Sequence, residues 1–262
     1  MAEMKPISFK TRDSLFVNGY LTLPKGRAKK NLPVIVMPHG GPDSRNSWGY
    51  NSEVQFLANR GYAVFQVNFR GSKGYGKKFW TAGFKEWGGK MQDDITDGVG
   101  WLISENIANP SRIAIYGSSF GGFSALHGLI TQPDLYRCGA SHSGFTNLFT
   151  YLKDIPPYFR PYQQMFYETV GNPEKDADYF REVSPVFHTD KINVPVLIAQ
   201  GAKDPRVNMN ETNQFVKELK KRNVPVTYIL KEDEGHFFRN IDNRLEFYKE
   251  LELFLDKNLS RK

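Results

Sequence analysis

The sequence predicts one α/β domain: a mostly parallel central sheet with helices on both faces and an antiparallel hairpin at its N-terminal edge. Short β-rich runs alternate with helical patterns from Pro33 to the C-terminus, as strand–helix–strand units require. Pro33–Met37 is an uninterrupted apolar stretch, the pattern of a strand buried on both faces, and Tyr62–Val67 is a second strand-length, mostly apolar run. The chain has 262 residues, 40% apolar and 24% charged, which suits a single large globular domain over residues 1–262.

The elements follow in order. Ile7–Lys10 and Leu15–Leu23 are extended runs around the turn residues Arg12-Asp13-Ser14, and they predict the hairpin. Lys25–Asn31 is a polar connector, so residues 1–31 form hairpin plus connector. Pro33–Met37 is the first parallel strand. Ser52–Arg60 is a helix closed by Gly61, and Tyr62–Val67 is the next strand. Asp93–Glu105 has Ile95, Val99, Leu102 and Ile103 at helical spacing. Arg112–Tyr116 is a strand, Gly117–Gly122 a tight turn, and a helix runs on through Ile130. Cys138–His142 and Val194–Gln200 are strands, Glu211–Arg222 an amphipathic helix, Val224–Leu230 the last strand and Asn243–Leu259 the closing helix. Phe145–Pro185 breaks the alternation. It is long and rich in aromatics, and it predicts an excursion over the carboxyl edge of the sheet that walls or covers a pocket.

Composition narrows the function. The N-terminus MAEMKPISFK lacks the basic head and apolar run of a secretory signal, and no apolar stretch approaches membrane-spanning length. The one cysteine, Cys138, excludes an internal disulfide and fits a reducing compartment, so a cytoplasmic location is expected. The formal charge of +7 comes from scattered lysines and short basic runs without interleaved aromatics, which reads as a solvated surface and not a nucleic-acid site. No metal-ligand spacing and no phosphate-binding loop occurs, so neither metal nor cofactor is expected.

The chemistry centres on Gly117-Ser118-Ser119-Phe120-Gly121. It matches G-x-S-x-G between a strand and a helix, the context of a nucleophile elbow. Side chains at the flanking glycines would clash in so sharp a turn, and the following helix aims free N–H groups at the reacting carbonyl. Ser119 has glycines at both −2 and +2, and Ser118 has neither, so Ser119 is the nucleophile. A serine hydroxyl needs a base and the base an orienting carboxylate. In the α/β-hydrolase order the acid and then the histidine follow the serine. His236, in Glu234-Gly235-His236 just past the last strand, is placed to reach over the sheet edge. His127 lies within the nucleophile's helix, His142 at a strand end and His188 in a loop. Asp204 sits in the turn after Val194–Gln200, made rigid by Pro205; Glu232 and Asp233 share the loop of His236 and are its rivals. For the oxyanion, the backbone N–H of Phe120 is one donor and Gly40 or Gly41, in the glycine turn after Pro33–Met37, the second. His39 is a scaffold residue, and Gly71–Gly76 a loop near the site.

From Pro33 onward the chain resembles the catalytic domain of the prolyl oligopeptidase family of serine peptidases, in particular its acylaminoacyl peptidase and dipeptidyl peptidase branches. The resemblance rests on His39-Gly40-Gly41-Pro42, Asn68–Gly76, Gly117–Gly122, Ser184-Pro185, Gly201–Val207 and Glu234-Gly235-His236, in the family's order. It implies the same triad of Ser119, Asp204 and His236. It also implies a hydrophobic pocket for the residue before the scissile bond, with Phe145, Leu148 and Tyr151 as wall residues. Phe120 stands where many relatives have tyrosine, so the pocket lacks a hydroxyl. The family's N-terminal β-propeller, which limits substrate size, has no counterpart in residues 1–31. The chain is then an excised domain or a free-standing hydrolase, with access restricted by association into a homo-oligomer or by the Phe145–Pro185 excursion. The expected substrates are short peptides or acylated amino acids, with simple carboxylic esters as the alternative.

Overall fold

The computed structural model describes residues 1–26 and 29–260; residues 27 and 28 of the polar connector lie outside the described residues. The N-terminal strands β1 (Met4–Lys10) and β2 (Phe16–Thr22) pair antiparallel, with Met4 opposite Thr22 and Lys10 opposite Phe16. There follow β3 (Leu32–Val36), α1 (Ser52–Asn59), β4 (Ala63–Asn68), the short α2 (Lys77–Thr81), α3 (Lys90–Ser104), β5 (Ala108–Ser118) and α4 (Phe120–Thr131). After β6 (Cys138–His142) come α5 (Leu148–Lys153), α6 (Gln163–Thr169) and α7 (Ala177–Val183). The chain closes with β7 (Val196–Gly201), α8 (Met209–Lys221), β8 (Val226–Lys231) and α9 (Ile241–Leu259). The strands form one eight-stranded sheet in the order β1-β2-β4-β3-β5-β6-β7-β8. Only β2 runs against its neighbours; every pairing from β4 to β8 is parallel.

Alternation along the buried strands divides the core in two. Val34, Val36, Phe65, Val67, Ile113 and Ile115 face α3, α4 and α8, whereas Ile35, Val64, Ala114 and Tyr116 face α1 and α9. A strand buried on both faces can be apolar throughout, which is why β3 reads as a continuous apolar run and β4 as one broken only at Gln66 and Asn68. Helix α1 is capped by Asn51, whose side chain accepts from the N–H groups of Glu53 and Val54, and it ends at Gly61 with φ +95°. Helix α3 begins at Lys90, before the Asp93 that its apolar periodicity indicates. The carboxylate of Glu86 caps it from outside, accepting the Lys90 N–H at 3.0 Å. Among the described residues no helix is long and apolar enough to cross a membrane.

One buried cation joins the hairpin turn to α3. Arg70, 5% exposed, donates to Asp94 from Nε at 2.9 Å and Nη2 at 2.6 Å, and to Asp13 of the hairpin turn at 2.8 and 2.9 Å. Those bonds from Arg70 hold the Asp13 carboxyl far below the usual carboxylate range. Removing one partner from a buried pair leaves an uncompensated charge. Asp94→Ala should therefore lower the free energy of unfolding by about 3–5 kcal/mol, read from the urea midpoint at unchanged slope; a loss within 0.5 kcal/mol (on the order of an ordinary surface substitution) would show that Arg70 finds solvent instead.

Candidate active site

Ser119 stands between the last residue of β5 and the first of α4, with φ 56° and ψ −121°. A non-glycine residue at positive φ is strained and persists only where its surroundings impose it. Here they do. A Cβ at Gly117 would lie 2.3 Å from the carbonyl oxygen of Gly121, and one at Gly121 would lie 2.3 Å from that of Pro38. Both glycines of the motif are thus required by close backbone contact. The Ser119 N–H donates to the carbonyl of His142 at 2.9 Å, which anchors the turn to β6. Ser118 is the last strand residue, paired in register with His142, and Ser119 is the serine that lines the cavity above.

Asp204 and His236 meet across two neighbouring loops. His236 Nδ1 lies 2.8 Å from Asp204 Oδ2, so Nδ1 carries the proton it donates to the carboxylate. Nε2 is then the free basic nitrogen, and it is buried without a hydrogen-bond partner. The other oxygen, Oδ1, accepts the N–H groups of Arg206 at 2.8 Å and Val207 at 3.1 Å. Burial works to raise the Asp204 carboxyl, but the bond and charge of His236 and those two amides override it and hold the group below its ordinary value. Gln200, missed in the sequence, adds a 3.3 Å contact from Nε2 to Asp204 Oδ2 and bonds the Val207 carbonyl at 3.1 Å. The rivals are placed elsewhere: Asp233 is exposed and bonded by Asn243, and Glu232 is exposed. Glu234, also missed, accepts from the backbone of Arg239 and Asn240 at 2.8 and 2.9 Å and shapes the loop that carries His236.

The remaining histidines have other roles. His39 is buried, stacks on Phe69 with centroids 4.3 Å apart, donates from Nδ1 to the Gly40 carbonyl at 2.8 Å and sets Nε2 2.8 Å from Ser72 Oγ. Burial lowers it to about 4, so it is a neutral strut between the His39–Pro42 and Gly71–Gly76 turns. Burial likewise lowers His127 and His142 to about 4. His188 binds the Arg181 carbonyl at 2.9 Å. Among the described residues, no histidine other than His236 pairs with a carboxylate.

The candidate oxyanion donors converge on the same place. Phe120 opens α4, and Phe123 is the first to donate back, to Ser119, so the N–H of Phe120 has no preceding turn to bond. Gly40 lies against Ser119: a Cβ there would be 3.6 Å from Ser119 Cβ and 3.2 Å from the Ser118 carbonyl oxygen. Gly40 and Gly41 both line the cavity, and Gly41 takes φ +127°.

The cavity has a volume of about 480 Å³ and is lined by Ser119, His236, Gly40, Gly41 and Pro42 of the turn after β3, and a largely aromatic wall. Tyr151 is part of that wall. Phe145 and Leu148, expected in that wall from the sequence, do not line the cavity. Phe145, 1% exposed, follows β6 too closely to leave the core, and stacks between Phe123 at 4.7 Å and Tyr151 at 4.4 Å; Leu148 is fully buried. More of the wall comes from Trp80 of α2, from Phe84 and Trp87 between α2 and α3, from Met91 at the start of α3, from Phe159 and Phe166 of the excursion, and from Arg206. The signal for the first group was present: a long tryptophan-containing connection leaving the carboxyl end of a strand, where open α/β sheets bind ligands. The Phe120 ring is buried against Phe69, Trp87 and Phe123, beneath this wall.

An open parallel sheet that turns sharply into a helix after its fifth strand, with loops from its later strands closing over the turn, is the α/β-hydrolase fold. Comparison with known proteins goes further: the chain belongs to the prolyl oligopeptidase family, whose family model matches residues 48–262. It is 42% identical over 259 residues to dipeptidyl aminopeptidase BIII of Pseudoxanthomonas mexicana, covering 95% of this chain and 38% of that protein. It is 38% identical over 275 residues to dipeptidyl peptidase family member 6 of Caenorhabditis elegans, covering 96% and 37%. Among solved structures, a puromycin hydrolase superposes with a TM-score of 0.93 at 26% identity, over all of this chain and 40% of that one. Pyrococcus horikoshii acylaminoacyl peptidase gives 0.89 at 27%, over all of this chain and 42% of its own. The chain thus spans less than half the length of these relatives.

The two loops of the acid and the base are held by backbone contact alone at one point. A Cβ on Gly201 would lie 2.1 Å from the Gly235 carbonyl oxygen and 2.5 Å from that of Glu234. Gly201→Ala should displace His236 from Asp204 and lower kcat/KM by about a hundredfold, the cost of a displacement near 1 Å, while circular dichroism shows the fold retained. Activity within twofold of the parent would show that the loops tolerate the added methyl.

Proposed function

We propose that this chain is a serine hydrolase that cleaves acyl bonds through a covalent acyl-enzyme, acting on short peptides or acylated amino acids. The observation that carries the reading is the 2.8 Å bond of His236 Nδ1 to Asp204, with the free Nε2 and Ser119 bordering one cavity. His236 Nε2 takes the proton of Ser119 Oγ as the serine attacks the carbonyl carbon. Asp204 holds the imidazole in the tautomer that leaves Nε2 free, and stabilises the imidazolium that forms. The N–H of Phe120 and that of Gly40 or Gly41 bind the developing oxyanion. The imidazolium then protonates the leaving amine, and water, deprotonated by His236, releases the acid. Residues 1–262 act in this as one catalytic unit, with the hairpin as the edge of its sheet.

The names of relatives support the peptide side of this reading: dipeptidyl aminopeptidase, and an acylamino-acid-releasing enzyme of Arabidopsis thaliana that is 30% identical over 208 residues. The aromatic wall, with Trp87, Tyr151 and Phe166, fits a large apolar side chain on the acyl half of the substrate. The same wall accepts an apolar ester equally well, so carboxylesterase activity is the second reading.

Ser119→Ala should abolish labelling by a fluorophosphonate probe and lower kcat by about 10⁴–10⁶, with Ser118→Ala leaving both largely intact. Labelling that persists in Ser119→Ala would assign the nucleophile elsewhere. Asp204→Asn should retain the fold and lower kcat by about 10⁴, because its amide can fix the wrong imidazole tautomer. A panel of aminoacyl and peptidyl nitroanilides beside short-chain nitrophenyl esters separates the two substrate readings: kcat/KM should be higher on the nitroanilides relative to their slower spontaneous hydrolysis, and turnover confined to the esters would favour the second.

A further inference from the structure

Glu211 is a buried carboxylate that the hydrolytic steps do not use. It lies in the first turn of α8, is 7% exposed, and points across to the segment joining β6 to α5. Its Oε1 accepts three donors: the backbone N–H of Thr146, the Thr146 hydroxyl at 2.9 Å and the backbone N–H of Asn147 at 3.0 Å. Its Oε2 accepts the Thr150 hydroxyl. Each end of this connection borders the cavity. Thr150 precedes Tyr151, which lines it, and α8 follows directly on Arg206 and Val207, which line it from the side of Asp204. The neighbouring Thr212 donates to Gln200 Oε1 at 3.3 Å, and Gln200 reaches Asp204, so the first turn of α8 is also fixed to the acid loop.

We infer that Glu211 is a positioning residue for substrate specificity: one buried carboxylate fixes the distance between the Tyr151 wall and the Arg206–Val207 wall, and so sets the size of acyl side chain the cavity accepts. This rests on the hydrolase reading above for its substrate, but not for its geometry. Backbone N–H groups can only donate, so an acceptor at Oε1 is indispensable, whereas the Thr150 hydroxyl can turn and accept. Glutamine keeps the essential oxygen, and alanine removes it. Without the acceptor, two buried N–H groups must find water or another partner, and α5 shifts to let them. A side chain that fills the cavity registers that shift, and a small one does not.

The test compares Glu211→Ala and Glu211→Gln with the parent on paired aminoacyl nitroanilides carrying an alanyl or a phenylalanyl group. In Glu211→Ala the ratio of KM for the phenylalanyl substrate to that for the alanyl substrate should rise about tenfold, with kcat for the two changing in parallel; this is the effect of losing bonds to a charged acceptor. Glu211→Gln should restore most of the ratio. Amide exchange at Thr146–Tyr151 should quicken about tenfold in Glu211→Ala, with exchange in β7 unchanged. Should Glu211→Ala fail to fold, Thr150→Val removes one donor alone and should move the ratio in the same direction by a smaller factor. An unchanged KM ratio in the variants, or a fall in kcat for both substrates at constant ratio, overturns the inference. A parent enzyme that cleaves neither substrate counts against the hydrolase reading alone: the exchange rates then test the bonds of Glu211 without turnover, and unchanged exchange at Thr146–Tyr151 in Glu211→Ala overturns the inference.

Discussion

The architecture of this site depends on how closely backbones approach one another along the carboxyl edge of the sheet. Gly121 packs on the Pro38 carbonyl and Gly117 on Gly121, at separations that leave no room for a Cβ. That contact bends the chain through Ser119 at positive φ and brings the glycine turn after β3 against Ser119. At the far end of the same edge, Gly201 packs on the carbonyls of Glu234 and Gly235, and the loop of Asp204 meets the loop of His236. The side chains that would do the chemistry sit where these backbone contacts put them. Strain at Ser119 is held by the rigidity of the buried strands beneath it, which are packed on both faces.

Much of this was legible in the sequence because it is local. A strand buried on both faces is mostly apolar, so β3, and β4 apart from Gln66 and Asn68, could be located from residue type. A turn as sharp as Gly117–Gly121 leaves its mark as glycines at fixed offsets, which is why Ser119 could be separated from Ser118. Chain order after Ser119, with loops past the later strands, pointed to Asp204 and His236. Boundaries were less legible where a cap lies outside the helix it serves. Glu86 caps α3 from four residues before its first turn, and no periodicity in Lys90–Ser104 announces it.

The cavity wall was the least legible part, and the reason is physical. Aromatic side chains serve the core and the pocket alike, and residue type does not say which side of a wall a ring occupies. Phe145 and Tyr151 stack 4.4 Å apart, yet one is core and the other faces the cavity. Trp80, Trp87 and Phe166 arrive from segments far from the serine motif in sequence, and only the three-dimensional path of those segments assembles them. Gln200 and Glu211 escaped for a related reason: a polar residue that positions others has no motif of its own, only partners. Together these groups turn a nucleophile elbow common to many hydrolases into a site with a defined shape.

The central claim is that Ser119, His236 and Asp204 operate as one unit, with the oxyanion held between α4 and the turn after β3. A crystal structure of the protein inactivated by a benzyl phosphonate tests it most directly. The account predicts phosphorus bonded to Ser119 Oγ, the phosphoryl oxygen within about 3 Å of the Phe120 N–H and of the Gly40 or Gly41 N–H, and the benzyl group against Tyr151. An adduct on another residue, or a phosphoryl oxygen turned toward solvent, would contradict it.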